Sequence, residues 1–264
     1  MNTLHVIKIG GNVLNSEEKL NKFLDDFAQL QGPKILVHGG GKLATSLSEK
    51  LGIPTKMVEG RRITDAETLK VVVMVYAGLI NKQIVANLQA RGCNATGFTG
   101  ADANVIPAEK RPVKTIDYGF AGNIVQNQIN TTAIEVLIKA NIVPIFCGIT
   151  HDGKGQLLNT NADTIASALA VAMSAHYKTI LHYCFEKDGV LRDVSDETSV
   201  INQISREEYK YYKIKNIIAD GMIPKLDNAF SAIDNGVDHV VIGNSEKVIQ
   251  MVAEAENAGT ILVK

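Results

Sequence analysis

The sequence predicts an α/β fold whose strands are mainly parallel. Two apolar runs near the N-terminus, Thr3–Ile9 and Ile35–Val37, are typical of buried strands. A glycine turn follows each run, and a segment with apolar residues at helical spacing follows each turn. Strands that alternate with amphipathic helices are typical of parallel α/β sheets, and 264 residues suffice for one large domain or two lobes.

Helix and strand signals continue along the chain in the same alternation. Ser16 predicts the start of the first long helix, and Gly32-Pro33 predicts its end. The further elements expected, in order, are a helix from Gly41 to Gly52, a long helix from a capping box at Thr64–Glu67 to about Arg91, short strands and a hairpin within 93–128, a helix from Asn130 or Thr131, strand Ile142–Cys147, helix Ile165–Met173, strand Thr179–Tyr183, helix Leu226–Ile233, strand Asp238–Gly243, a helix, and strand Thr260–Val263. The hairpin around Gly119 and Gly122 is expected to form a flap over a substrate.

The first two glycine turns are candidate anion-binding sites. Lys8 precedes Gly10-Gly11, so a positive charge stands beside a turn whose N–H groups an oxyanion can approach closely. The second turn, His38-Gly39-Gly40-Gly41, leads into a helix whose N-terminal N–H groups and dipole favour an anion. Because parallel sheets bind ligands beyond the carboxyl ends of their strands, we expect both turns at one edge. For His38, a ligand contact and a structural hydrogen bond are equally compatible with the sequence.

Polar residues before three helices are further candidates. Arg61-Arg62 precede the long helix, and an arginine fork suits a carboxylate held at two points, although a solvated arginine also fits the pattern. Asn159, Asn161 and Asp163 precede an Ala-rich helix, either as caps or as contacts to a substrate. Lys225 stands near a helix N-terminus, where the macrodipole disfavours a cation, and this indicates a functional task.

Composition argues against several classes of protein. The chain carries 27 Lys and Arg against 28 Asp and Glu, so no basic footprint indicates nucleic acid or an anionic membrane. The apolar run Val71–Ile80 is too short to span a bilayer, and no signal peptide is evident, so we expect a cytoplasmic protein. The three cysteines are expected to be buried thiols, and no His/Cys spacing predicts a metal site in the protein.

Five motifs together resemble those of the amino acid kinase family. They are Lys8-Ile-Gly-Gly11, His38-Gly-Gly-Gly41, Gly60-Arg-Arg62, Asn159-Thr-Asn-Ala-Asp163 and Asp220-Gly-Met-Ile-Pro-Lys225. They occur in the family's order and extend over almost the whole chain. The resemblance implies a three-layer αβα sandwich with a mainly parallel central sheet, as one domain over residues 1–264. Within it, an N-terminal lobe (about 1–175) would hold an acylated amino acid, and a C-terminal lobe (about 176–264) would hold ATP.

The resemblance also implies roles for the residues that match these motifs. Lys8 and Lys225 match two lysines of the transition state, and Asp163 matches the aspartate that positions them. Gly11 matches a glycine whose N–H faces the transferred phosphoryl group. The expected substrate contacts are Gly40, Gly41, Arg62 and Asn159, and the expected nucleotide contacts are Glu186, Gly189, Val190, Leu191, Asp220 and Met222. Mg²⁺ would be carried by ATP, so no metal ligand is expected from the protein.

The activity implied by the resemblance is ATP-dependent phosphorylation of the γ-carboxylate of N-acetyl-L-glutamate, the second step of arginine synthesis. A carboxyl group with a pKa of about 4.3 is already an anion at neutral pH, so it needs no general base. Two lysines and glycine N–H groups would then stabilise the approach of one anion to another. The alternatives are N-succinyl-L-glutamate as acceptor, another kinase of this fold, or a non-catalytic nucleotide or amino-acid sensor. A Rossmann dehydrogenase is disfavoured, because no GxGxxG follows the first strand.

Some features depart from the family's usual pattern. In the segment Tyr183–Leu191, Glu186 stands near the position where the family usually has an aspartate. Beside Arg62, Arg61 replaces a residue that is typically apolar. A second basic residue there is compatible with a longer, more anionic acyl group. The chain begins directly at its first strand, whereas arginine-inhibited relatives carry an N-terminal helix that links dimers into a hexamer. We therefore expect a homodimer without that feedback device.

Overall fold

The computed structural model describes residues 1–58, 60–218, 220–253 and 258–264, with Asp220 described by its backbone alone. The chain divides into two units: residues 1–35 with 166–264, and residues 36–165. The lobe boundary expected from the sequence lies near residue 175, whereas residues 1–35 belong to the same unit as the C-terminal part of the chain. The reason is that the first strand pairs along its whole length with a strand at 178–184.

Strands and helices alternate along the chain as the sequence predicts. The strands are β1 (Thr3–Ile9), β2 (Lys34–His38), β3 (Lys56–Val58), β4 (Arg61–Ile63), β5 (Ala95–Phe98), β6 (Ala108–Lys110), β7 (Gly122–Ile124), β8 (Val143–Phe146), β9 (Ile149–His151), β10 (Leu157–Asn159), β11 (Lys178–Phe185), β12 (Gln203–Ser205), β13 (His239–Asn244) and β14 (Thr260–Val263). The helices are α1 (Gly11–Leu14), α2 (Glu17–Gln29), α3 (Gly41–Lys50), α4 (Ala66–Val73), α5 (Asn81–Ala90), α6 (Thr131–Lys139), α7 (Ala162–Met173), α8 (Arg206–Ile214), α9 (Ile223–Asp234) and α10 (Val248–Ala253). This order confirms the predicted α/β class.

The sheet of the first unit is mainly parallel. Its strand order is β12-β14-β13-β11-β1. Strand β11 is parallel to both β1 and β13, and the antiparallel pair is β13 with β14. Lys8 of β1 stands opposite Tyr183 of β11. Because side chains alternate between the two faces of a strand, Lys8, Tyr183 and Phe185 share one face at the carboxyl ends of these strands.

The second unit combines three parallel strands with three antiparallel pairs. The parallel strands follow the order β2-β8-β5. The antiparallel pairs are β3 with β4, β6 with β7, and β9 with β10. The pair of β6 and β7 confirms the hairpin predicted within 93–128, while its role as a flap stays a prediction. Buried apolar residues of β2 and β8, among them Leu36, Val37 and Phe146, form part of the core.

The long helix predicted from residue 64 to about Arg91 is present, with an irregularity that the sequence did not indicate. Helices α4 and α5 are joined without a break by the π-helical segment Met74–Ile80. By length and composition alone, Ala66–Ala90 is apolar enough to cross a membrane, but 44% of its most apolar window is buried inside the protein. A core helix has the same length and composition, so this observation is weak evidence for a membrane protein.

Helix starts in the structure match most of the predicted caps. The side chains of Ser16 and Asn130 accept hydrogen bonds from backbone N–H groups of the first turns of α2 and α6. The capping box predicted at Thr64 is wrong: the N-cap of α4 is Asp65, whose carboxylate accepts a hydrogen bond from the N–H of Thr68 at 2.8 Å. The Thr64 hydroxyl is engaged elsewhere, because it donates to the carbonyl of Arg62 at 3.1 Å.

A histidine pair joins neighbouring strands of the first unit, with His182 buried and His5 half-buried. Nδ1 of His5 lies 2.9 Å from Nε2 of His182, so one ring donates a hydrogen bond and the other accepts it. Burial, with a smaller contribution from His239, lowers the pKa of His5 to about 4. Burial, followed by the neighbouring histidines, holds the pKa of His182 well below its usual range. Both rings are therefore neutral in the folded protein at neutral pH.

The histidine pair predicts that the protein loses stability in mild acid. Below a pH of about 6.5, the unfolded chain binds protons at His5 and His182 that the folded protein binds only at lower pH, so the free energy of unfolding falls as pH falls. Each of the two histidines lowers the free energy of unfolding by at most about 1.4 kcal/mol for each pH unit. Urea unfolding at pH 7.5, 6.0 and 5.0 measures the slope.

The matched variants are His5→Gln in the pair and His176→Gln at an exposed position. We expect His5→Gln to make the loss of stability with falling pH shallower, and His176→Gln to leave it unchanged. Equal slopes for wild type and His5→Gln would contradict this account of the pair.

Candidate active site

Two lysines that are far apart in the sequence meet at one aromatic ring in the first unit. Lys225 follows the short 3₁₀ turn Asp220–Met222 and lies in the first turn of α9, next to Pro224. Its Nζ lies 3.9 Å from the centroid of the Phe185 ring. The Nζ of Lys8 lies 5.7 Å from the same centroid. Two positive charges are therefore held near the carboxyl ends of β1 and β11.

The turn after β1 lies directly beside one of these charges. A β-carbon built on Gly10 would lie 3.8 Å from Nζ of Lys8. Gly10 is also the N-cap of the short helix α1, which Gly11 begins. The chain thus brings Lys8 and Lys225 to one ring, with the Gly10–Gly11 turn beside Lys8, and the contact of these donors with a phosphoryl group stays a prediction.

The second glycine turn, in the second unit, is shaped by the π-helical segment. Gly40 has a φ of 156°, a conformation that residues with a β-carbon rarely adopt. A β-carbon there would lie 2.5 Å from Cδ1 of Ile80 and 2.8 Å from Cδ1 of Tyr76. On the other side of the Tyr76 ring, a β-carbon at Gly148 would lie 3.2 Å from Cδ2. The ring is therefore confined between two backbone segments that glycine alone allows so close.

Arg62 is the cation of this second group. It is 7% exposed, and its Nη2 donates to the carbonyl of Gly41 at 2.9 Å and to Oγ1 of Thr45 at 2.8 Å. Its Nη1 donates to Oγ1 of Thr55 at 3.2 Å. Arg62 also lies beside the phenol of Tyr76, whose pKa is raised by burial and lowered to a smaller degree by this guanidinium. Its hydrogen-bond partners within the described part of the chain are neutral oxygens.

His38 takes the structural role rather than the ligand contact. Its Nδ1 lies 2.8 Å from the carbonyl of Gly39, and its Nε2 lies 3.1 Å from Nδ2 of Asn81. Because a carbonyl only accepts, Nδ1 carries the proton and Nε2 accepts from the amide of Asn81. Burial lowers the pKa of His38 to about 4, so the ring stays neutral.

Asn81 in turn requires a glycine on the neighbouring strand. Its Nδ2 also donates to the carbonyl of Ile145 at 2.9 Å. A β-carbon on Gly97 would lie 1.8 Å from Oδ1 of Asn81, which leaves no room for a side chain at that position. His38, Asn81 and Gly97 therefore form one interlocked support under the Gly39–Gly41 turn.

The remaining predicted residues of the second unit lie at the ends of β10 and α7. The amide of Asn159 donates at 3.0 Å to Oγ1 of Thr64, the residue that directly follows the strand that carries Arg62. Asn161 is a cap, since its Oδ1 accepts from the N–H of Asp163 at 2.7 Å. Asp163 thus lies in the first turn of α7, where the macrodipole favours a carboxylate.

The family model described as "Amino acid kinase family" matches residues 3–244 of this chain. The chain belongs to the amino acid kinase family. This confirms the resemblance carried by the five motifs and, with the strand order above, the predicted fold.

Proteins named acetylglutamate kinase match this amino acid kinase over nearly its whole length. A protein named acetylglutamate kinase from Phocaeicola vulgatus is 54% identical over 99% of this chain and 98% of its own length. Another of that name, from Cytophaga hutchinsonii, is 52% identical over 100% of this chain and 99% of its own. A third, from Methanopyrus kandleri, is 36% identical over 98% of this chain and 100% of its own.

Solved structures agree with the assignment of the fold. The protein smu.665 of Streptococcus mutans has a TM-score of 0.76 at 26% identity, with 98% of each chain covered. N-acetylglutamate synthase of Neisseria gonorrhoeae, solved with coenzyme A and N-acetyl-glutamate, has a TM-score of 0.83 at 23% identity; the match covers 100% of this chain and 59% of the synthase. Carbamate kinase of Giardia lamblia, bound to AMP-PNP, has a TM-score of 0.70 at 14% identity. The last two similarities concern the fold alone.

The residues expected to contact the nucleotide differ in accessibility. Glu186 is exposed, and Met222 is the N-cap of α9. Gly189 and Val190 pack against β14, where the N–H of Val190 donates to Oγ1 of Thr260 at 2.8 Å. Leu191 is buried and forms a bridge with Val200. The side chain of Asp220 lies outside the described residues, and contact of all these residues with a nucleotide stays a prediction.

Sequence reasoning missed two aromatic residues. Tyr76 stands within an apolar helical run and looked like ordinary core, and only the π-helical geometry turns its ring toward the glycine turn. Phe185 is the last residue of β11 in the segment that departs from the family pattern, and its place directly before Glu186 was the available signal. Across the described residues, no group of three His, Cys, Asp or Glu side chains could hold a metal ion.

The geometry of Gly40 predicts that Gly40→Ala disrupts acceptor binding. The substitution combines a strained φ with overlap against Tyr76, and backbone strain of this kind costs about 1–3 kcal/mol. We expect KM for the phosphoryl acceptor to rise roughly tenfold or more. Steady-state kinetics and thermal unfolding check this.

Gly52→Ala is the matched control, because Gly52 has a φ of 70° but open space around its β-carbon position. It should lower thermal stability without changing KM. A Gly40→Ala enzyme with unchanged KM would exclude this turn from the acceptor site.

Proposed function

We propose that this amino acid kinase transfers the γ-phosphoryl group of ATP to the γ-carboxylate of N-acetyl-L-glutamate, giving N-acetyl-L-glutamyl 5-phosphate and ADP. This reaction is the second step of arginine biosynthesis. The relatives named acetylglutamate kinase, at 52% and 54% identity over nearly the whole chain, support it. The single observation that carries it is the buried guanidinium of Arg62, whose hydrogen bonds go to neutral oxygens.

A buried cation of this kind favours an anionic ligand. A charge removed from water is costly unless it is paired, and the neutral oxygens around Arg62 orient it without neutralising it. A planar guanidinium matches a carboxylate by two parallel hydrogen bonds. Arg62, with the N–H groups of the Gly40–Gly41 turn, would therefore hold a carboxylate of the acyl-glutamate, and Asn159 would add a polar contact.

The lysines would carry the electrostatic part of catalysis. A carboxylate nucleophile is already ionised, so the barrier comes from bringing it to a phosphoryl group whose charge is spread over its oxygens. Ammonium groups that are already in position stabilise that charge without reorganisation during the reaction. Lys8 would act on the acceptor side and Lys225 on the nucleotide side, while the N–H of Gly11 would face the transferred group. Asp163 would orient the lysines.

The nucleotide would be ATP with its own Mg²⁺, as a substrate complex. Such a complex needs no cage of carboxylates from the protein. We further propose a cytoplasmic homodimer that acts on small molecules.

Release of ADP with a panel of acceptors tests the proposed function. We expect turnover with N-acetyl-L-glutamate and none with carbamate, aspartate or uridylate, because those acceptors do not combine a free γ-carboxylate with an acylated amine. N-succinyl-L-glutamate belongs in the same panel, since Arg61 is a second basic residue beside Arg62. A clear preference for the succinyl compound would assign the acyl group differently, and ATP binding without turnover of either compound would indicate a sensor.

The proposed role of Lys8 predicts a large loss on substitution. Removing one preorganised donor costs about 2.7–4 kcal/mol, so Lys8→Ala should lower kcat roughly 100–1,000-fold. Lys19→Ala, on the exposed surface of α2, is the control and should change nothing. Activity of Lys8→Ala within a few-fold of wild type would remove Lys8 from the transition state.

A further inference from the structure

Phe185 occupies a position that neither the proposed mechanism nor the predicted contacts use. It is the last residue of β11 and is half-buried. Its ring centroid lies 3.9 Å from Nζ of Lys225 and 5.7 Å from Nζ of Lys8. An ammonium group within about 6 Å of an aromatic centroid is attracted by the negative face of the ring. Both proposed transition-state lysines therefore interact with one side chain.

The backbone explains why this ring can reach both lysines. Lys8 stands opposite Tyr183 in the parallel register of β1 and β11, so Lys8 and Phe185 project from the same face of adjacent strands. The ring of Phe185 also stacks on that of Tyr183, with centroids 6.2 Å apart and an angle of 12° between planes. Tyr183 is 1% exposed, so it provides a fixed base for the ring above it.

Lys225 lies in an electrostatically unfavourable place for a cation. It lies in the first turn of α9, where unsatisfied N–H groups carry partial positive charge and repel a cation. The face of an aromatic ring is a region of negative potential, so it offsets part of this repulsion. Unlike a carboxylate, it does so without adding a formal negative charge beside the path of a phosphate.

We propose that Phe185 is a positioning residue that holds the ammonium groups of Lys8 and Lys225 through the face of its ring. The inference rests on the proposed function, and it deepens that function by naming a second group, in addition to Asp163, that positions the two lysines. A residue that acts through the lysines in this way should, when lost, lower kcat and leave KM for the acyl-glutamate nearly unchanged.

Graded fluorination of the ring separates this role from simple packing. Each fluorine on phenylalanine weakens the negative face of the ring with little change in its shape. We expect kcat to fall stepwise with mono-, di- and trifluorophenylalanine at position 185, and Phe185→Tyr to retain most activity. Phe185→Leu should lose roughly three- to thirtyfold in kcat, the range of cation–π attraction in proteins. Tyr211→Leu, at an exposed aromatic position on α8, is the control and should have no effect.

Equal kcat for all fluorinated enzymes would overturn the proposal, since only packing would then remain. A second readout does not require turnover: ¹³C-methylated lysines report the ring by an upfield NMR shift. A Lys225→Arg variant identifies the signal of Lys225, because that signal is missing from its spectrum. In Phe185→Leu, the Lys225 signal should lose its upfield shift, and an unchanged shift would also overturn the proposal. If wild type releases no ADP with any acyl-glutamate, the proposed function fails, and the NMR result alone decides the role of Phe185.

Discussion

The buried guanidinium of Arg62, a charge that has been removed from water, is the constraint on which the second unit's candidate site depends. Arg62 is surrounded by the hydroxyls of Thr45 and Thr55 and the carbonyl of Gly41. These groups fix the direction of its N–H donors and, within the described part of the chain, they do not neutralise its charge. The glycine turn, the ring of Tyr76 and the π-helical segment are all arranged around that cation.

In the first unit, two positive charges lie close together at one aromatic ring. Parallel pairing of β1 and β11 brings Lys8 close to Phe185, and the start of α9 brings Lys225 to the same ring. The two cations come from opposite ends of the sequence. The parallel sheet aligns the carboxyl ends of β1 and β11, which are distant in the chain, and the start of α9 lies beside them.

Much of this arrangement could be predicted from the sequence, because its signals are local. A buried strand followed by glycines identified the turns at Gly11 and Gly40, and order along the chain connected them with Arg62 and Lys225. Residues that act through tertiary contacts gave no such signal. Tyr76 looked like core because a helical periodicity does not reveal a π-helical turn, and the cap at Asp65 was misassigned because the Thr64 hydroxyl is used by residues outside the helix. The grouping of residues 1–35 with the C-terminal part depends on strand pairing, which no short pattern encodes.

The close approach of Gly97 to Asn81 has a consequence for how sequences of this fold can change. Any side chain at position 97 would displace the amide of Asn81, and the displaced amide would leave Nε2 of His38 buried without a donor. A replacement at one of positions 38, 81 and 97 therefore leaves a clash or an unpaired buried group. A matched replacement of all three residues need not. Positions 38, 81 and 97 should therefore vary together among homologues, because each depends on the size and hydrogen bonding of the other two.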